Sequence, residues 1–145
     1  MTDDLENIFF EIHHTNPGTS LGLEIWFDQQ CLVDQDNFDK DSEFYHEFQN
    51  NHQLHQLNIV LKNKTPLHTI VDSNNQILSD TAIKIQNFKL NGILLITAFF
   101  LHASYQSKEL GLVPLMHCFG YLGFNGRVTF EFNSPVDKWA IDNYC

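Results

Sequence analysis

Residues 68–80, HTIVDSNNQILSD, gather side chains that bind metal ions or transfer protons. Two short apolar runs flank a polar tetrad, which predicts a β-hairpin with the tetrad as its loop. On such a hairpin His68 and Asp72 share a face but lie roughly 13 Å apart along the strand, at about 3.3 Å per residue. Asp80 points away from both. We therefore predict a structural turn, with a hydrogen bond between Thr69 and Asp80 across the strands. A β-bulge would alter this prediction, because it moves every later residue to the opposite face.

A dense run of carboxylates lies in residues 34–43, DQDNFDKDSE. Carboxylate oxygens are the ligands that calcium prefers. The spacing differs from that of a helix–loop–helix calcium loop, the run contains no glycine, and Lys40 opposes cation binding. We interpret the run as a solvated acidic loop. The alternative is a calcium site formed by Asp34, Asp36, Asp39 and Asp41.

An aromatic side chain is predicted on a polar sheet face. Residues 21–27 alternate cleanly, with leucine, isoleucine and phenylalanine on one face and Glu24 and Trp26 on the other. Trp26 is thereby flanked by Glu24 and Asp28, and an aromatic ring beside carboxylates is typical of sugar-binding surfaces. We predict that these three residues contact a glycan or a protein partner. The alternative is that the C-terminal helix or a second subunit covers this face.

Sequence signatures of catalysis and of zinc binding are absent. There is no GxSxG, HExxH or phosphate-binding loop, and the three cysteines form no CxxC pair. Neighbouring residues on a strand face apart, so His13-His14 is a poor metal clamp and His117-Cys118 is a poor pair of general base and nucleophile. We predict neither zinc nor enzymatic activity. An enzyme remains a third alternative, whose sign would be a histidine and a carboxylate converging in a pocket.

Seven or eight short segments with alternating polarity are separated by turn signals. This pattern predicts an all-β fold, an antiparallel β-sandwich or jelly roll, in a single domain spanning residues 1–145. Asn91-Gly92 is a strong hairpin signal, since both central residues of a type I′ turn need φ > 0. The predicted strands are Leu21–Phe27, Cys31–Asp34, His55–Leu61, Thr69–Val71, Ile77–Ser79, Ala82–Leu90 and Arg127–Phe132.

A short C-terminal helix is predicted after these strands. Ser134 is a good N-cap, Pro135 fits the first helical position, and Asp137 would complete a capping box. Trp139 and Ala140 would then face inward. We expect irregular structure with a short helical turn over residues 97–112.

The charge balance limits the possible partners. The chain has 18 acidic residues against 8 Lys and Arg, a net charge of −10. Such a field repels phosphate backbones and anionic lipids, so we expect no nucleic acid and no membrane partner. An odd cysteine count favours a reducing compartment, and the first residues do not look like a signal peptide.

Two segments, KNKTPLHTIVDSNNQILSDTAIKIQNFKLNGI (62–93) and FGYLGFNGRVTFEFNSPVDKWAIDN (119–143), carry a family resemblance. They resemble, in the same order, small uncharacterised β-rich proteins of marine cyanobacterial tailed phages of the myovirus type. The chain departs from that pattern at Asn63 and Asn75, where glycine is expected, but asparagine tolerates left-handed backbone next best. The resemblance implies a β-sandwich without an assigned activity, located in the virion or the host cytoplasm.

Our leading interpretation is therefore a non-enzymatic, phage-type β-sandwich. It would act as an accessory virion component or as a module that binds a glycan or a protein, without a cofactor unless calcium is used. The alternative is a structural subunit that associates with copies of itself.

Overall fold

Two antiparallel sheets make up most of the structure, a computed structural model that describes residues 5–107, 116–117 and 120–144. The first sheet contains, in spatial order, β12 (Tyr121–Leu122), β8 (Ile83–Leu90), β1 (Leu5–His14) and β4 (Ser42–Gln49), with β9 (Ile93–Leu94) paired to β8. The second contains β11 (Met116–His117), β10 (Ser104–Ser107), β13 (Gly126–Asn133), β5 (Leu54–Lys62), β2 (Leu21–Phe27) and β3 (Gln30–Phe38). The predicted all-β sandwich is confirmed.

The remaining elements are short. A separate hairpin pairs β6 (Thr69–Val71) with β7 (Ile77–Asp80), and a 3₁₀ turn at Pro66–His68 precedes it. Helix α1 covers Ile96–His102 and helix α2 covers Val136–Tyr144. Within the described residues no helix is both long enough and apolar enough to cross a membrane.

Phenylalanine rings fill the space between the two sheets. The ring of Phe88, on β8 of the first sheet, lies 5.1 Å from that of Phe130, on β13 of the second. Phe99 of α1 contacts both rings, at 4.7 and 5.5 Å. The inward residues of β1, β2, β5 and β13 belong to the same buried cluster. Each buried aromatic removes about 150–250 Å² from water, so this core supplies much of the driving force for folding.

Two hairpin turns follow the predicted chemistry. Asp28 and Gln29, between β2 and β3, have φ of 48° and 70°, and Asn91 and Gly92, between β8 and β9, have φ of 52° and 77°. Positive φ at both central residues matches the twist of the flanking strands. The predicted Asn91-Gly92 turn is therefore confirmed.

The acidic run at residues 34–43 was predicted to be a loop, and that prediction is wrong. Strand β3 continues through Asp34 and Asp36 to Phe38, and β4 begins at Ser42. Phe38 and Phe44 enter the core and hold both strands in place. Sequence reasoning also missed β1, whose alternation is obscured by the adjacent aromatics Phe9 and Phe10.

Helix α2 confirms the predicted C-terminal helix, with Trp139 and Ala140 buried as expected. The predicted capping box is wrong, because the helix begins at Val136 and the Val136 N–H donates to both carboxylate oxygens of Glu6, at 3.1 and 3.0 Å. A buried carboxylate from β1 thus caps the helix. The irregular structure predicted for residues 97–112 is wrong where it is described, because residues 96–102 form α1 and residues 104–107 form β10. The part of that prediction at residues 108–112 lies outside the described residues.

Candidate functional site

The outer face of the second sheet carries a row of side chains from adjacent strands. Trp26 on β2 pairs with Asn58 on β5, and Asn58 pairs with Thr129 on β13. The core-facing neighbours on all three strands are buried apolar residues, which fixes the outward direction of this row. The pattern that predicted an outward Trp26 is confirmed by this register.

Two depressions lie side by side on this face. The first, of about 280 Å³, is lined by Trp26, Gln29, Gln56, Asn58 and Arg127. The second, of about 410 Å³, shares Gln29 and Gln56 with it. The other residues lining the second depression are Asp28, Asn51, Gln53, Leu54 and Glu131. We call the two depressions together the Trp26 groove.

A chain of hydrogen bonds orients the amide side chains of the Trp26 groove. Thr129 Oγ1 donates to Asn58 Oδ1 at 2.8 Å, and Asn58 Nδ2 donates to Gln56 Oε1 at 2.8 Å. Gln56 Nε2 in turn donates to Glu131 Oε2 at 3.0 Å. Because each amide is held by its neighbour, the polar floor is ordered before a ligand arrives, which reduces the entropy cost of binding.

The two carboxylates predicted beside Trp26 are both hydrogen-bonded within the protein, and only Asp28 also lines the Trp26 groove, in its second depression. Glu24 accepts from Trp26 Nε1 at 2.8 Å and from Lys62 Nζ at 2.8 Å. Asp28 accepts from the Gln56 backbone N–H at 2.8 Å and contacts His55 at 2.6 Å. Both acids therefore hold Trp26 and the turn after it in position.

Arg127 was missed by sequence reasoning, although it is the chain's single arginine. Its position on β13, between the inward-facing Gly126 and Val128, shows that it faces outward. Arg127 is exposed, and within the described part of the chain its side chain has neither a hydrogen bond nor an ion pair. The alternation of residues 127–132 was the signal that could have placed it on the same face as Trp26.

Three of the four carboxylates of the proposed calcium site already have partners within the protein. Lys62 Nζ lies 2.8 Å from Asp34 Oδ1 and 3.4 Å from Asp36 Oδ1, and these contacts, with that to Glu24, raise the pKa of Lys62. Asp41 accepts from the His14 backbone N–H at 2.8 Å, and Asp39 lies in the short β3–β4 connection. Among the described residues no group of three or more His, Cys, Asp or Glu side chains is arranged to hold a metal ion.

The β6–β7 hairpin is a structural unit. Thr69 pairs with Asp80, and Thr69 Oγ1 donates to Asp80 Oδ1 at 2.7 Å, as predicted. A bulge after Ile70 brings Val71, not Asp72, opposite Ile77, so the predicted register fails beyond that point. Asp72 Oδ1 instead accepts from the backbone of Asn74 and Gln76 within the loop, which stabilises the turn.

His68 lies in the 3₁₀ turn and not on the strand. Its Nδ1 accepts from the Thr65 backbone N–H at 2.9 Å, and its Nε2 lies 3.0 Å from the carbonyl oxygen of Ser20. Asp80, further along, also accepts from Tyr121 at 2.9 Å. Burial and this hydrogen bond raise the pKa of Tyr121 to about 12. His68, Asp72 and Asp80 therefore each have different hydrogen-bond partners and do not form a shared site.

A histidine between a carboxylate and a hydroxyl lies at the end of the second sheet. His55 Nδ1 is 2.6 Å from Asp28 Oδ2, and His55 Nε2 is 3.2 Å from Ser134 Oγ. Asp28 belongs to the β2–β3 turn, His55 to β5, and Ser134 to the connection between β13 and α2. No motif in the sequence links these residues, because only strand pairing brings them together.

Comparisons with protein-family models, with curated proteins and with solved structures give no match. The resemblance to cyanophage proteins stays a prediction, and function has to be inferred from the chain's own residues.

Proposed function

We propose that this protein binds carbohydrate at the Trp26 groove. The observation that carries the proposal is the composition of the first depression: an aromatic ring, three amide side chains and an arginine with no partner among the described residues. Aromatic rings pack against the apolar face of a sugar ring, while amides both donate and accept hydrogen bonds. A sugar hydroxyl needs both kinds of partner, because it can donate one hydrogen bond and can also accept hydrogen bonds.

The groove's shape and charge support the same ligand class. The first depression is lined by no carboxylate, although the chain has 18 acidic residues. Glu131 and Asp28 line only the second depression, where their carboxylates can accept hydrogen bonds from sugar hydroxyls. Apart from Trp26 and Leu54, the side chains that line the two depressions are polar, which favours a polar ligand over a nonpolar one.

The decisive experiment is a glycan array followed by calorimetric titration of the sugars that bind, with calcium and then with a chelator. Binding that is unaffected by the chelator supports a groove that works through protein side chains alone. Absence of binding across neutral and acidic sugars in both conditions would remove the carbohydrate proposal. A protein ligand would then be the remaining occupant of the same groove.

A second candidate function is self-association, and one observation favours it. The β6–β7 hairpin pairs with no third strand among the described residues, and isolated two-stranded hairpins are marginally stable in water. Four of its apolar side chains are exposed, including Ile77 and Leu78 at 65 % each, and Leu67 of the preceding 3₁₀ turn is 90 % exposed. A second copy packing there would cover this patch, rather than the Trp26 face that sequence analysis suggested.

The accessory virion role rests on the family resemblance alone, and we propose it only in combination with ligand binding. Peptide mass spectrometry of purified virions, from the phage that encodes the chain, tests it. Detection at a constant copy number per particle supports the role, and detection only in infected-cell lysate excludes it.

A further inference from the structure

We propose that Ser134, His55 and Asp28 form an acyl-transfer site that hydrolyses esters of short carboxylic acids. The three groups follow each other at 3.2 Å and 2.6 Å, in the order hydroxyl, imidazole, carboxylate. A serine becomes a nucleophile when an adjacent imidazole takes its proton and a third group orients that imidazole. The site goes beyond ligand binding and departs from our expectation of no catalytic activity.

The hydrogen bonds around Ser134 fit a proton relay. When His55 Nδ1–H donates to Asp28, Nε2 is free to accept the Ser134 hydroxyl proton. When His55 is protonated, Nε2–H donates to Ser134 Oγ, and the hydroxyl can donate to Asn51 Oδ1 at 3.1 Å. The serine oxygen therefore keeps a partner in both states, so the proton can move without leaving a buried polar group unsatisfied.

The imidazole is held rigidly. His55 is 2 % exposed and lies among the rings of Phe27, Phe48 and Phe132, at 5.6, 4.8 and 5.6 Å. Asp28 Oδ1 is fixed separately by the Gln56 N–H. Packing and hydrogen bonding thus leave His55 one orientation, with Nε2 towards Ser134, which is the preorganisation that such a base needs.

Ser134 has room beside it for a small substrate. It is 4 % exposed, and it lines a depression of about 330 Å³ together with His52, Lys138 and Trp139. The depression extends along one face of α2, from Pro135 just before the helix to Asn143 near its end. The N–H of Val136 is already bound by Glu6, which leaves the first-turn N–H groups of Asp137 and Lys138 without intrahelical acceptors. These are the donors nearest in sequence for an oxyanion.

The reaction balances with water as the second reactant. Ser134 Oγ forms a bond to the acyl carbon while its proton passes to His55 Nε2. The bond from the acyl carbon to the leaving alcohol oxygen breaks, and that oxygen takes the proton from Nε2. A water molecule then attacks the acyl-serine, gives one proton to Nε2 and releases the carboxylic acid as Ser134 Oγ is reprotonated.

Labelling with a fluorophosphonate tests the proposal directly, because the reagent reacts with activated serines. We expect phosphonylation of Ser134, located by peptide mass spectrometry, and p-nitrophenyl acetate hydrolysis that Ser134→Ala removes. Ser79→Ala, the same change on the hairpin, is the matched control and should leave both unchanged.

Asp28→Asn separates a working relay from a structural contact. The variant keeps an oxygen for the Gln56 N–H but offers His55 Nδ1–H no second acceptor, so the imidazole loses its orientation. We expect labelling of Ser134 to slow by about 100-fold with the fold intact, as judged by circular dichroism. Absence of label on Ser134 in the folded wild-type protein, or equal rates in Asp28→Asn, would overturn the proposal and leave these residues as a connection between two loops.

Discussion

Lys64 Nζ lies 2.7 Å from Asp80 Oδ1 and 2.7 Å from the carbonyl oxygen of Gly123, with the lysine side chain only 9 % exposed. Asp80 ends β7, and its second oxygen accepts from Tyr121 on β12. The pair therefore fastens the β6–β7 hairpin to the edge of the first sheet. A buried ammonium without its carboxylate would be strongly destabilising.

Asp80→Asn should lower the free energy of unfolding by about 2 kcal/mol at neutral pH. The amide can still contact Thr69 and Tyr121, but Lys64 loses its counter-charge. Urea unfolding measures the difference, and Glu43→Gln, at an exposed position on β4, is the matched control. Equal stability of Asp80→Asn and the wild type would show that the ion pair is not stabilising.

The difference in the free energy of unfolding between the wild type and Asp80→Asn should depend on pH. Burial by itself would raise the pKa of Asp80, but the hydrogen bonds from Lys64, Thr69 and Tyr121 outweigh it and hold the pKa below its ordinary value of 3.8. The folded protein thus keeps the carboxylate ionised where the unfolded chain has begun to bind a proton. The advantage of the wild type over Asp80→Asn should be constant at neutral pH and shrink as the pH falls below about 3.8.

Trp26→Ala and Arg127→Gln should each weaken sugar binding at the groove by about tenfold or more, equivalent to about 1.4 kcal/mol. The first removes the stacking surface, and the second removes the forked donor that stands next to it. Tyr45→Ala, an exposed aromatic on β4, is the control and should bind like the wild type. Calorimetric titration measures the affinities. Undiminished binding by both variants would place the sugar elsewhere.

The local sequence pattern was sufficient to predict which face of a strand a side chain occupies and where a tight turn falls. Alternation placed Trp26 on the outer face, and the turn chemistry predicted the Asn91-Gly92 turn, because both depend on neighbours in the sequence. The partners of Glu24 could not be predicted in this way, since Lys62 is brought beside it only by the pairing of β2 with β5.

Long-range pairing also explains the larger misses. The bulge after Ile70 changes the register by one residue, which no local signal indicated. The contact between His55 and Ser134 depends on the pairing of β5 with β13, which brings Leu54 opposite Asn133. Sequence alone could have suggested individual chemical groups but not their convergence.

Lowering the pH below about 6.5 should destabilise the protein through His14. Burial lowers the pKa of His14, despite opposing hydrogen bonds and the charges of Asp39 and Asp41. Its Nδ1 accepts from the Asn16 N–H at 3.1 Å, a contact that protonation at Nδ1 would break. The unfolded chain therefore binds a proton first as the pH falls, so stability is lost below the ordinary pKa of 6.5.

His14→Gln should flatten this pH dependence, as measured by urea unfolding at about pH 7.5 and about pH 5.5. His46, whose pKa burial also lowers, will keep part of the slope in the variant. His52→Gln, at an exposed position, is the control. An unchanged slope in His14→Gln would show that His14 is not responsible.

Calcium at millimolar concentration should leave the unfolding midpoint of the wild-type protein unchanged. Lys62 already neutralises Asp34 and Asp36, and Asp41 is bound to the backbone of β1. Lys62→Met should lower stability, because Glu24 and Asp34 lose their cation, and calcium should restore part of it. Magnesium at the same concentration controls for ionic strength. A rise of the wild-type midpoint with calcium alone would instead support the site suggested by the acidic run.

Self-association through the β6–β7 hairpin should depend on its exposed apolar side chains. If a second copy covers the patch, the wild-type protein should form dimers at micromolar concentration, and Leu78→Lys should remain monomeric because a buried ammonium opposes the contact. Leu94→Lys, at a comparably exposed leucine on β9, is the matched control and should dimerise. Light scattering over a concentration series measures both. A wild-type protein that stays monomeric throughout, or equal weakening by both variants, would contradict a specific interface at the hairpin, since a stable one buries at least about 1,000 Å² around such residues.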